Sequence, residues 1–125
     1  MTNDAPRPVY FLSDSTGITA ETLGDTLLTQ FPENEFDRIT IPFITTVDQA
    51  RAVVKVIDHR AATGLQPIVF STAVGSDIRQ TLGTCNGIIV DLIGTHVGQL
   101  ERALGTQASG EPGRAHGLGN AARYQ

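Results

Sequence analysis

The apolar positions of this chain change period several times between residues 9 and 105. "VYFL" (Val9–Leu12) is a short unbroken apolar run, as in a strand buried on both faces. Ala20, Leu23, Leu27 and Phe31 then recur at three- and four-residue spacing, which predicts one buried face of a helix that Pro32 stops. "FDRITIPFI" reads as a second strand, and Pro42 near its end moves it towards the sheet edge. Ala50, Val53, Val54, Ile57 and Ala61 follow the helical template closely. Thr46 and Gln49 are spaced for a capping box at the start of that helix, and Gly64 is its natural stop. "PIVFST" predicts a third strand, followed by a short helix bearing Ile78 and Leu82. "GIIVDLIG" predicts a fourth strand, and Thr95 is placed to cap a last helix with Val97, Leu100 and Leu104, ending at Gly105.

Strands that alternate with helices require crossover connections and a parallel sheet. The predicted fold is therefore α/β: a doubly wound, open parallel sheet of about four strands with helices on both faces. It occupies residues 1–105. From Thr106 the chain is rich in glycine and small polar residues without a period, which predicts a linker or flexible tail over 106–125.

Composition narrows the partners. The 125 residues carry a formal charge of −4 and no basic cluster, so a nucleic-acid phosphate backbone is an unsuitable ligand. No apolar run approaches the length needed to span a bilayer, and the first residues lack the apolar stretch of a secretion signal. A single cysteine, Cys85, forms no intramolecular pair and fits a reducing compartment. The expectation is a cytoplasmic protein.

Open parallel sheets bind ligands beyond the carboxyl ends of their strands. Those ends deliver Ser13, Asp14, Ser15 and Thr16 from the first strand, then Thr45 and Thr46, then Ser71 and Thr72, and finally Asp91. The stretch "SDSTGITAETLG" (Ser13–Gly24) admits three readings. Its hydroxyls cap the helix, with Gly17 allowing the turn and Glu21 complementing the dipole. Alternatively, Ser13, Ser15, Thr16, Gly17 and Thr19 hold a phosphate with hydroxyls and first-turn amides, although Asp14 and Glu21 lie close by. Or Asp14 binds a metal, with Asp91 as its partner for Mg²⁺ if their strands are neighbours. The lysine of a P-loop is absent.

Other candidates are weaker. His59, His96 and His116 are scattered without ligand spacing, and His59 and His96 are expected at the surface. Cys85 has no basic neighbour to lower its pKa. "GSD" at Gly75 is not a nucleophile elbow.

"VYFLSDSTGIT" resembles the phosphate loop of flavodoxins, which present hydroxyls and amides to FMN without a lysine. The resemblance covers about a dozen residues. A stacking aromatic is not supplied by the tyrosines, since Tyr10 lies in a strand and Tyr124 in the tail. An FMN- or phosphate-binding module is the alternative function on this basis.

A longer resemblance runs through "VYFLSDSTGITAETLGDTLLTQF", "ITIPFITTVDQARAVV", "PIVFSTAV" and "AHGLGN". In wording and order these are similar to the N-terminal half of the bifunctional kinase–pyrophosphorylases that regulate phosphoenolpyruvate synthase or pyruvate, phosphate dikinase. The resemblance implies a serine/threonine kinase that moves a phosphoryl group from ADP to a threonine of the target enzyme, beside a catalytic phosphohistidine. It also implies removal of that group with inorganic phosphate, releasing pyrophosphate. ADP and inorganic phosphate are the implied ligands of the full-length family, with Mg²⁺ a candidate ion and a homodimer a candidate assembly. In the family a glycine-rich loop ending in lysine and threonine follows the "HGL" segment, and Gln125 falls before it. The expectation is thus an N-terminal domain, natural or truncated, that is inactive by itself and positions phosphate or the partner's phosphorylated loop.

Overall fold

The computed structural model describes residues 5–110. Four strands, β1 (Arg7–Leu12), β2 (Phe36–Ile41), β3 (Ile68–Ser71) and β4 (Ile88–Asp91), alternate with four helices. The helices are α1 (Ile18–Leu28), α2 (Val47–Thr63), α3 (Ser76–Leu82) and α4 (Gly94–Leu104). All strand pairs are parallel, in the order β2-β1-β3-β4. The doubly wound α/β fold expected from the alternation is present, and β2 with its following Pro42 is an edge strand.

Strand pleating divides the apolar residues of β1 between two cores. Tyr10 and Leu12 join Val53 and Ile57 of α2 and Ile78 and Leu82 of α3. Val9 and Phe11 join Ala20 and Leu28 of α1 and Phe70 of β3 on the other face. The α2 face follows the helical template read from the sequence, and the Thr46–Gln49 capping box is formed in both directions.

Helix α1 departs from its expected face. Ala20, Gly24 and Leu28 are buried, whereas Leu23, Leu27 and Phe31 are 42%, 45% and 57% exposed. Gly24 explains the rotation. A Cβ there would lie 2.5 Å from the Phe11 ring and 2.9 Å from the Phe70 ring, so the helix backbone rests directly on those aromatics. The two rings stack at 5.7 Å beneath it. The helix stops at Leu28, four residues before Pro32.

Thr95 is not the cap of α4. It lies inside the helix, and Asp91 Oδ1 instead accepts from the amides of Ile93 and Gly94 at 3.1 and 2.7 Å. None of the α4 residues is buried. The helix ends at Leu104, where Gly105 takes the left-handed conformation of a C-cap. Thr106–Gly110 continue without helix or strand. The remainder of the expected tail, with His116, Tyr124 and "AHGLGN", lies outside the described residues.

Candidate functional site at the carboxyl edge of the sheet

Strand register sets the geometry of the site. Leu12 is level with Ile41 and with Ser71, and Ser71 is level with Asp91, so all four strands end in one row. The loops that leave this row form the polar rim expected from the sequence. The crossover leaving β1 runs one way along the sheet and the one leaving β3 runs the other, which makes the space between the β1–α1 and β3–α3 loops the switch-point crevice of the sheet.

Asp14 spans that crevice. Its Oδ2 accepts from the Val74 amide at 2.8 Å, and the residue is buried. The β1–α1 loop is also tied to the β2–α2 loop, because Ser15 O and Ser13 O accept from the amides of Phe43 and Ile44 at 2.9 Å each. Ser13 is buried, and its hydroxyl accepts from Ser15 N at 2.9 Å. Ser13 and Asp14 therefore shape the loop from inside.

The remaining loop residues face outward. Ser15 is half-buried, and Thr16 and Thr19 are exposed. Helix α1 has no side-chain cap; Thr16 Oγ1 approaches the Ile18 amide only at 3.5 Å. The reading in which hydroxyls cap α1 is thus corrected. The first intrahelical bond is from Glu21 N to Gly17 O, at 3.0 Å. Thr19 and Ala20 amides precede it and point out of the helix end. Gly17 has φ 93°, and a Cβ on it would meet Thr40 Cγ2 at 2.9 Å. Glycine is required there by both conformation and space.

Glu21, which stood against an anion in the sequence, is drawn aside: its carboxylate accepts from the Thr40 hydroxyl on β2. Asp14 is likewise turned towards Val74. Around this loop the Thr19 and Ala20 amides lie at the open start of α1, near the outward-facing hydroxyls of Ser15 and Thr19.

Asp91 belongs to a separate constellation. Strand β3 lies between β1 and β4, so the strands carrying Asp14 and Asp91 stand about 10 Å apart. The adjacency on which a shared Mg²⁺ rested is not met, and both carboxylates are engaged by protein donors. Asp91 Oδ2 accepts from Arg79 Nε and Nη2 at 3.1 and 2.7 Å. Burial would raise the Asp91 pKa, but the Gly94 amide, the Arg79 guanidinium and the Ile93 amide together hold it below the usual carboxylate value. Among the described residues no group of three or more His, Cys, Asp or Glu is placed to hold a metal.

Two residues at the rim were not singled out from the sequence. Arg79 brings a cation to the carboxyl end of β4, correcting the picture of acids and hydroxyls alone, although Asp91 neutralises it. An arginine on a helix and an aspartate twelve residues later, at the end of the next strand, is too common a pattern to reveal the pair. Phe43 follows β2 with φ 59°, unusual for a bulky residue, and is 59% exposed beside the loop. Its position after Pro42 carried no signal of either property. Thr45 and Thr46 serve the α2 cap, and the Ser71 hydroxyl accepts from Ala73 N at 3.2 Å.

The other candidates stand apart from the rim. His59 and His96 are exposed on their helices. Cys85 is buried, and burial pushes its thiol pKa up, away from nucleophilic use. Among the described residues no helix is long and apolar enough to cross a membrane.

Comparison with known proteins gives this geometry a context. A family model described as kinase/pyrophosphorylase matches residues 9–125. The chain is 44% identical over 119 residues to an Ectopseudomonas mendocina protein, covering 94% of the chain and 44% of that relative. It is 46% identical over 120 residues to a Bordetella pertussis protein, covering 95% of the chain and 44% of that relative. Both carry the name "Putative phosphoenolpyruvate synthase regulatory protein". The chain thus spans less than half the length of the curated relatives it matches.

Proposed function

This chain belongs to the kinase/pyrophosphorylase family, and from that membership we propose that it is the phosphate-positioning domain of a regulator of phosphoenolpyruvate synthase. The target is a threonine of that enzyme, with pyruvate, phosphate dikinase as the alternative partner. In one direction the terminal phosphoryl of ADP passes to the threonine hydroxyl, leaving AMP and releasing the hydroxyl proton. In the other, inorganic phosphate takes the group from phosphothreonine, giving pyrophosphate and free threonine.

One observation carries the assignment of this domain's part: the open amides at the start of α1 sit beside the unengaged hydroxyls of Ser15 and Thr19. Such a helix start favours an anion through its partial positive charge and its unpaired donors. Transfer itself needs a cation to stabilise the migrating phosphoryl group. Arg79, on α3, is held by Asp91, and the Ser13–Thr19 loop contains no lysine or arginine. We assign transfer to the part of the relatives outside the matched stretch.

The test is an assay with ADP, phosphohistidine-primed phosphoenolpyruvate synthase and either the 125-residue chain or the whole Bordetella pertussis relative. Phosphothreonine is expected with the relative and not with the chain alone. Phosphothreonine formed by the chain alone would overturn the division of labour.

A second reading is favoured by Phe43. An exposed aromatic beside a hydroxyl-bearing loop, in a sheet of order 2-1-3-4, suits a flavodoxin-like module that stacks a flavin. Flavin absorbance in the protein as purified would support that reading.

A further inference from the structure

The two faces of the sheet are not equally covered. Crossovers β2–α2–β3 and β3–α3–β4 run in one direction and place α2 and α3 on one face; β1–α1–β2 runs the other way and places α1 alone opposite. Helix α1 lies over β1 and reaches β3, and beyond it the sheet is open. A groove of about 440 Å³ runs there at the amino ends of the strands, between Leu27, Leu28 and Phe31 on one side and Phe70, Ile88 and Val90 on the other. It lies at the opposite end of the sheet from the polar rim.

The same side of the molecule has two further unfilled features. Strand β4 is an edge strand. Ile88 and Leu92 donate their amides to Pro67 and Ser71 next to β3, so the alternating amides of Ile89 and Asp91 point off the free edge. Helix α4 carries Val97, Leu100 and Leu104 at helical spacing, yet buries none of its residues. A crossover helix buries its stripe on the sheet that its next strand extends, and no such strand is present among the described residues.

We propose that the groove and the β4 edge together are the docking site for a strand–helix unit that the longer family chains carry beyond α4. The strand pairs in parallel with β4 and gives α4 a surface to cover. The helix that follows returns across the opposite face, beside α1, and fills the groove with an apolar stripe. Right-handed connection rules place that returning helix on the α1 face of a doubly wound sheet. More than half of each relative lies outside the matched stretch, which leaves ample chain for the unit. A second copy of this chain suits the site less well. Pairing β4 with another β4 would extend the sheet but bring no helix over either groove. The inference is independent of the phosphate reading, because its test follows association and not phosphoryl transfer.

The experiment mixes the 125-residue chain with the unmatched remainder of the Bordetella pertussis relative, expressed as a separate polypeptide. Binding is followed by sedimentation and by amide exchange. Association is expected, with slowed exchange at Ile89 and Asp91. Phe31→Glu and Ile88→Lys, at residues 57% and 45% exposed in this chain, should each weaken it at least about tenfold. Both variants should keep dispersed amide spectra and near-native melting, since the side chains are not core. No association, or association indifferent to both variants, would overturn the proposal. So would self-association of the chain that Phe31→Glu and Ile88→Lys abolish, which would make a second copy the occupant.

Discussion

The α2–α3 face and the α1 face of the sheet are built by different means. The former is closed by two helices whose large side chains interdigitate with the strands: Val53, Ile57, Ile78 and Leu82 meet Tyr10, Leu12 and Val69. The latter is closed over β1 by one helix that uses small residues, Ala20 and Gly24, to bring backbone against stacked rings, and it is open beyond Phe70. The first face is covered over β1 and β3, and only Ile89 of the edge strand β4 shows through beside it. The second offers surface to something else. The contrast teaches that helix count is a poor guide to closure: α4 is present and strongly amphipathic, yet covers neither face.

Substitutions separate the two faces by size of effect. The largest is expected for Ile57→Ala, which empties a fully buried site in the closed core and should cost about 2–5 kcal/mol. Phe31→Ala, on the open face, should fall within about 0.5 kcal/mol of the parent. Urea midpoints at constant slope measure both, and equal losses would erase the distinction. Next comes Gly24→Ala. The added methyl would press into Phe11 and Phe70, at a cost of about 1–3 kcal/mol. The gain in helix propensity, about 1 kcal/mol, only partly offsets it. A stabilised Gly24→Ala variant would mean that α1 does not rest on the rings.

The smallest effect sharpens the rim and not the core. Because the folded-state pKa of Asp91 is depressed, its contribution is present above the ordinary carboxylate range. It is lost as pH falls through the lowered value. Asp91→Asn should therefore be less stable than the parent at pH 7 and should lose less on acidification towards pH 3. Urea midpoints at the two pH values give the comparison, and parallel losses in parent and variant would remove Asp91 from the account.

Those contrasts also mark what could be read from residues alone. The closed face was legible because the spacing of Ala50, Val53 and Ile57, the Thr46–Gln49 box and the pure apolar run of β1 all encode local geometry. The order of elements was legible for the same reason, and so was the edge position of β2 through Pro42. The α1 face was misread because periodicity ranks residues by size. Leu23, Leu27 and Phe31 outweigh Ala20 and Gly24 until the Phe11–Phe70 pair beneath them is known. Tertiary neighbours decided the rim in the same way. Which acid faces which donor depends on strand order, so the separation of Asp14 from Asp91 and the pairing of Arg79 with Asp91 had no local signature. Thr95 looked like a cap because threonine often is one. The helix in fact starts one residue earlier, at Gly94, and Asp91 takes the Ile93 and Gly94 amides that lead into it.

The most direct measurement is an amide NMR titration of the 125-residue chain with inorganic phosphate. The open helix start predicts saturable shifts confined to Thr16, Gly17, Ile18, Thr19 and Ala20, weakened in a Gly17→Ala variant that remains folded. Shifts spread evenly over the surface, or none at these amides, would contradict a phosphate cradle in this loop.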